Sequence, residues 1–195
     1  MKKIVIINGH PDRESFSHAL QQAYKTGALS SNNMVEEITL SDMEFSPILQ
    51  YGYRKRTDLE PDLLTAWNKI LQADHLVLIF PTWWGSMPAL MKGFFDRMFL
   101  PGFAFEYQEK SPFPKKLLKG KTSEIIITMD TPVWYYKWIL GNTGVKLLKN
   151  SILSFCGIKN VRTTYLAVMK TSDDRQRKTW LSKIEKLGEV TPQKR

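Results

Sequence analysis

Apolar positions along the chain fall into two patterns that take turns. Ile4–Ile7 is an unbroken β-branched run that stops at Asn8-Gly9, the pattern of a buried strand entering a turn. Phe16, Ala19, Leu20, Ala23 and Tyr24 recur at helical spacing and predict a helix with one apolar face, ended by Gly27 and the Ser30–Asn33 cluster. Val35–Leu40 alternates imperfectly, as an edge strand does. Phe45–Glu60, with Pro47, Gly52 and several charges, reads as a long loop. Pro61 suits the first turn of a helix whose stripe is Leu63, Trp67, Ile70 and Leu71. Leu76–Phe80 is a second continuous apolar strand, stopped by Pro81. After Pro88, a helix sets Leu90, Met91, Phe94, Phe95, Met98 and Phe99 against polar Lys92, Asp96 and Arg97. Asp96 and Arg97 read as a solvated face or an exposed ion pair.

The second half is less regular. Gly102–Lys121 is mixed and predicted irregular, and Glu124–Met129 is a third apolar strand. Thr131–Gly144 carries Pro, Trp and Tyr without a period. Leu147–Phe155 predicts a helix stopped by Gly157. Val161–Met169 reads as a strand, and Ser172-Asp173-Asp174 as the cap of a last helix with Trp180, Ile184 and Leu187 inward. Strand and helix thus alternate about five times, which predicts one α/β domain over residues 1–195. Its expected form is a doubly wound five-stranded parallel sheet with helices on both faces. Ligands of such folds bind beyond the carboxyl ends of the strands. That singles out Asn8–Ser17, Pro81–Pro88 and Asp130–Gly144.

Composition narrows the setting. The 195 residues are 43% hydrophobic, enough for a packed core. The net charge of +9 permits anionic partners, phosphate-bearing cofactors among them. The clusters Arg54–Arg56, Lys115–Lys121 and the basic tail read as solvated faces. One cysteine, Cys156, allows no internal disulfide and reads as a buried structural thiol, while three scattered histidines and one cysteine make no metal site. His75 is expected at the surface or as a cap, and His18 solvated. The apolar run after Met1-Lys2-Lys3 is too short for a signal peptide, and no stretch is long enough to span a bilayer. A cytoplasmic protein with no membrane insertion is expected.

The first loop, Asn8-Gly9-His10-Pro11-Asp12-Arg13-Glu14-Ser15-Phe16-Ser17, leads into a helix N-terminus, where free N–H groups and the dipole favour a phosphate. Ser15 and Ser17 add hydroxyls and His10 a ring donor. Equally, either serine could be only an N-cap. Neither the G-x-G-x-x-G nor the P-loop fingerprint is present. In the second loop, Trp83 and Trp84 could wall a flat ligand or be large core residues, and Gly85 allows close backbone approach.

Gly9-His10-Pro11 with Ser15-Phe16-Ser17 resembles the N-terminal signature of the NAD(P)H:quinone oxidoreductase family, which has a flavodoxin-like fold. That family includes mammalian quinone reductases, bacterial modulator-of-drug-activity proteins and potassium-efflux ancillary proteins. Pro81-Thr82-Trp83-Trp84-Gly85, Met87-Pro88-Ala89, Lys92-Gly93, Asp96-Arg97 and Gly102-Phe103-Ala104-Phe105 with Tyr107 are similar to the same family's flavin-ring loop and the helix after it. The resemblance covers roughly Lys2 to Met169. It implies that His10, Ser15, Phe16 and Ser17 hold the flavin's phosphates, and that Pro81, Thr82, Trp83, Trp84 and Gly85 embrace its ring. It further implies that Phe105 and Tyr107 border the acceptor site, in their own chain or from the partner of a homodimer. Tyr107 is a candidate general acid, although an aromatic wall is its first role.

The implied activity is ping-pong hydride transfer from NAD(P)H through flavin N5 to a quinone-like acceptor. The His10 signature is similar to the FAD-using branch, with FMN the alternative. After the strand Glu124–Met129, many members carry Thr-Thr-Gly-Gly, whereas this chain has Thr128-Met129-Asp130-Thr131-Pro132. Trp134, Tyr135, Tyr136 and Trp138 could shape the substrate pocket or pack against a dimer partner. Competing readings are an azo or nitro reductase and an ancillary subunit of a membrane transporter. A flavodoxin-type carrier is disfavoured because flavodoxins are acidic, and nucleic-acid binding because no motif supports it.

Overall fold

The computed structural model describes residues 1–109 and 111–190, so the basic tail lies outside the described residues. In chain order the elements are β1 (Lys3–Asn8), α1 (Phe16–Ser30), β2 (Met34–Thr39), α2 (Pro61–Gln72), β3 (His75–Pro81) and α3 (Ala89–Met98). Next come β4 (Phe105–Gln108), β5 (Ser111–Lys116) and β6 (Thr122–Met129). A helical stretch follows, built from α4 (Thr143–Lys146), a π-helical segment Leu147–Leu153 and α5 (Ser154–Cys156). β7 (Lys159–Ala167) and α6 (Asp174–Glu189) complete the described chain. The main sheet runs β2-β1-β3-β6-β7, all parallel. The order reverses direction between β1 and β3, which opens a crevice at their carboxyl ends.

The unbroken apolar runs follow from burial on both faces. Ile4, Ile6, Val77, Ile79 and Ile126 face Leu20, Tyr24 and Ile184 of α1 and α6. Val5, Ile7, Leu76, Leu78, Ile125 and Ile127 face Leu63, Trp67, Ile70, Met91, Phe94 and Leu148 on the other side. Period-two alternation is present but hidden, because neither face meets water. Asp173 caps α6 as expected, accepting from the Gln176 N–H at 2.7 Å.

Several expectations are corrected. Gly27 does not end α1 but lies inside it. A Cβ there would stand 1.9 Å from the Glu185 carbonyl oxygen, so α6 can cross this closely only over glycine. Leu71 is exposed rather than part of the α2 stripe. The segment expected to be irregular holds the antiparallel β4–β5 hairpin. Met169 lies beyond β7, in a short 3-10 turn.

Two charged or titratable residues expected outside are inside. Arg97 is 1% exposed. Its guanidinium forks onto both Glu60 carboxylate oxygens (3.0 and 2.7 Å) and donates to the carbonyls of Ser46 (2.6 Å) and Asp58 (2.9 Å). It thereby fixes the long loop before α2 against α3. Burial alone would raise the Glu60 carboxyl, but the Arg97 fork outweighs it and holds the group below its ordinary range. Asp96 does form an exposed pair, with Lys92 at 2.6 Å. His75 lies within β3 and is fully buried, with Nδ1 2.8 Å from Thr122 Oγ1. Cys156 is buried, which pushes its thiol up to about 12.

Candidate active site

The first loop is set by the buried Asn8 at the end of β1. Its Oδ1 accepts from the His10 N–H (3.0 Å), and its amide donates to Gln21 on α1 (2.7 Å). The Gly9 N–H bonds Ile79 of β3 at 2.8 Å, tying the loop across the crevice. His10 Nδ1 accepts from the Asp12 N–H at 3.0 Å, which places the proton of the neutral ring on Nε2. Burial lowers the His10 pKa, so this is the neutral, Nε2–H form.

Neither serine is an N-cap in chemical terms. Ser15 has the extended backbone of a cap (φ −69°, ψ 154°), yet its side chain makes no capping bond. Ser15 Oγ, Ser17 Oγ, His18 Nε2 and Thr82 Oγ1 are all buried without a hydrogen-bond partner in the chain. A buried hydroxyl left unpaired costs about 1–3 kcal/mol. The two serine hydroxyls lie at the start of α1, where free N–H groups and the helix dipole favour an anion, and Thr82 lies at the end of the neighbouring β3. His18 is half-buried here rather than solvated.

The second loop is a tight hairpin turn. Trp83 and Ser86 exchange backbone bonds of 2.9 and 3.0 Å, with Trp84 at φ 51° and Gly85 at φ 75° between them. Two positive φ values suit a right-twisted hairpin. For tryptophan that conformation is strained, on the order of 1 kcal/mol. Trp83 is 46% and Trp84 104% exposed, so neither is a core residue. The His10 and Trp83 rings meet edge to face at 5.6 Å, joining the two loops. Pro81 ends β3, buried, and the Thr82 N–H bonds the Thr128 carbonyl at 2.7 Å.

The third loop clamps the second, which the sequence alone did not reveal. The Gly85 carbonyl accepts from the Gly144 N–H (2.9 Å), Thr143 Oγ1 (3.0 Å) and the Tyr136 hydroxyl (3.1 Å). Tyr136 is 1% exposed, and burial keeps its phenol protonated as a donor. Asp130 turns away and accepts from the Lys170 N–H at 2.7 Å.

The structure thus brings His10, Ser15, Phe16, Ser17, Thr82, Trp83, Trp84 and Gly85 to the carboxyl ends of β1 and β3. It does not bring Phe105 and Tyr107 there. Phe105 packs on Phe155 (4.9 Å) and Tyr107 (5.4 Å), beside a cavity of about 320 Å³ that α3 and the helical stretch before β7 also line. Tyr107 is well exposed. Gln21 and His18 were not announced as site residues; Asn8, Thr143 and Gly144 fell within the loops singled out and Tyr136 among the aromatics named, but the bonds they make were not foreseen. Only the Asn8-Gly9 step at a strand end carried a local signal.

A doubly wound parallel sheet with unpaired hydroxyls and an exposed aromatic turn at its switch point defines an α/β protein of the crevice-binding class. The model of the family described as flavodoxin-like fold matches residues 2–187, and the chain belongs to that family. An "Uncharacterized NAD(P)H oxidoreductase" of Haemophilus influenzae is 31% identical over 184 residues, covering 91% of this chain and 89% of its own. NAD(P)H dehydrogenase (quinone) 1 of Cavia porcellus is 29% identical over 226 residues, covering 98% of this chain and 79% of its own. The crystal structure of Smu.1420 from Streptococcus mutans UA159 is similar with a TM-score of 0.84 at 32% identity, over 97% of this chain and all of that one. The chain is an oxidoreductase of this kin.

Proposed function

We propose that the chain is a flavin-dependent NAD(P)H oxidoreductase that reduces quinone-like acceptors. One observation carries the reading: unpaired buried hydroxyls at the start of α1 lie beside a strained turn that exposes two tryptophans. Ser15, Ser17 and His10 Nε2–H would hold the flavin's phosphates. Trp83 and Trp84 would wall its ring. The N–H groups of Trp84 and Gly85, which take no part in the turn's own bonds, would donate to the ring's polar edge. Tyr136, Thr143 and Gly144 would keep that edge in place by fixing the Gly85 carbonyl. When bound, the flavin supplies hydride exchange between NAD(P)H and the acceptor at one shared face, hence ping-pong kinetics.

FAD is the flavin we infer. The support is the similarity of the Gly9-His10-Pro11 loop to the FAD-using branch, with FMN the alternative. A homodimer in which Phe105 and Tyr107 face the partner's site fits their placement away from the Trp83–Gly85 turn. The test is absorbance of the protein reconstituted separately with FAD and FMN, then given NADPH without oxygen and afterwards benzoquinone. Bleaching by the nucleotide and recovery with the quinone are expected, with FAD retained more tightly. Binding without bleaching would indicate a carrier or ancillary subunit, and no flavin retention would sink the reading.

A further inference from the structure

We propose that Trp134–Leu140 is a docking surface for an anionic lipid bilayer, seating the mouth of the site at the headgroup level. The segment centres on a single π-helical turn, Tyr135–Ile139. Tyr136 anchors it inward through the bond to Gly85, while its neighbours point the other way. Trp138 is 79%, Ile139 61% and Trp134 56% exposed, with Tyr135 and Leu140 also exposed. Fixed by Tyr136, and by Asn142 bonded to the Tyr165 hydroxyl at 3.0 Å, these side chains are presented on a held backbone.

Charge selects the occupant. From Thr131 to Ser172 the chain has no Asp or Glu, and it has six basic residues: Lys137, Lys146, Lys149, Lys159, Arg162 and Lys170. Arg162 is paired with Glu124 inside the fold and Lys170 lies beside exposed Asp130, while Lys137 within the segment and Lys146 and Lys149 after it are exposed. Tryptophan and tyrosine with flanking lysines are the composition that settles at a lipid–water interface, and each lysine adds attraction to acidic headgroups. A second copy docking this patch on itself would set Lys137 against its own equivalent. A nucleic-acid strand would find stacking rings, but exposed Ile139 and Leu140 after them suit acyl chains and not bases. No helix among the described residues is long and apolar enough to cross a membrane, so the contact is peripheral.

The clamp links docking to chemistry, since Tyr136 holds both the exposed segment and Gly85. Lipid-dissolved acceptors would then reach the site from the bilayer. That consequence rests on the proposed reductase activity; the docking does not.

The test is co-sedimentation of the full chain with vesicles of phosphatidylcholine alone and of its equimolar mixture with phosphatidylglycerol. Salt-sensitive pelleting with the mixture only is expected. Trp138→Ser/Ile139→Ser and, separately, Lys146→Glu/Lys149→Glu should each weaken it about tenfold or more. Pelleting that is absent, or indifferent to both variants, overturns the proposal. So does a dimer that Trp138→Ser/Ile139→Ser converts to monomer without vesicle binding. Capture on single-stranded DNA in place of vesicles, lost in the same variants, overturns it too. Flavin absorbance of the unaltered protein reports on the reductase reading independently.

Discussion

At the carboxyl ends of β1 and β3, the hydroxyls of Ser15, Ser17 and Thr82 lack partners beside two exposed tryptophans. Toward the amino ends of β3 and β6, Tyr24 Oη, His75 Nε2, Glu124 Oε2 and Arg162 Nε lack them as well. The second group is sealed under α1 and α6, with Tyr24 and His75 at 0% and Glu124 at 1% exposure. Unpaired buried polar atoms therefore do not mark a ligand site by themselves. What distinguishes the upper group is its place at the crevice where the sheet order reverses, a wall of exposed rings and a backbone strained to present them. The lower group is partly bonded within itself instead: Arg162 Nη2 donates to Glu124 Oε1, while His75 Nε2 stands 3.8 Å from the same atom, too far for a hydrogen bond.

The largest effect expected from that contrast is on flavin binding. Ser15→Ala/Ser17→Ala removes two hydroxyls that would meet a charged phosphate, each worth about 1.5–3 kcal/mol. Flavin affinity measured by fluorescence quenching should fall about 100-fold or more. Thermal stability of the flavin-free protein should hold or rise, because no bond within the chain is lost. Unchanged affinity would mean that the upper group is as inert toward ligands as the lower.

The lower group should act through protons. Burial pushes Glu124 from 4.5 up to about 7, against the pull of Arg162, and pushes His75 from 6.5 down to about 3. For Glu124 alone the fold holds the extra proton, so stability rises as pH falls from about 7 toward 4.5. For His75 alone the unfolded chain holds it, so stability falls as pH falls below 6.5. Between 4.5 and 6.5 each state carries one proton, on Glu124 when folded and on His75 when unfolded, and the two slopes cancel. Glu124→Gln removes the compensation. Urea unfolding of this variant should lose about 1.4 kcal/mol per pH unit, relative to the parent chain, as the buffer is taken from about pH 6.5 to 5. Parallel pH profiles for the two proteins would show that the cluster does not titrate as a pair.

The two groups were unequally legible from the sequence. Loop positions after apolar runs, with a serine pair at a helix start and Trp-Trp-Gly at a strand end, exposed the upper one. The lower one was invisible, because His75 and Glu124 looked like polar ends of strands, and Arg162 like one more basic residue. Arg97 escaped for a related reason: its partners Ser46, Asp58 and Glu60 lie 37–51 residues upstream, where no local pattern reaches. The β4–β5 hairpin was hidden by Pro112 and Pro114 on an exposed strand, where proline is tolerated only because no central ladder needs its N–H. Tyr136 was named among the aromatics that could shape the pocket, but its inward clamp was hidden because their spacing follows a π-helical turn and not the 3.6-residue period.

The smallest effect tests whether the lower group is dry. Tyr24 lies inside α1, its phenol held well above the ordinary range first by burial and then by Glu124. Its hydroxyl makes no bond in the chain, so Tyr24→Phe removes a desolvated polar atom and little else. Stability should be unchanged or higher by up to about 1 kcal/mol. A loss of that size would mean the hydroxyl is bonded through a buried water, since such waters satisfy polar groups that the chain leaves unpaired. The two ends of the sheet would then differ in what fills them, flavin phosphate above and water below, and the crevice with its exposed rings would decide which polar cluster becomes a site.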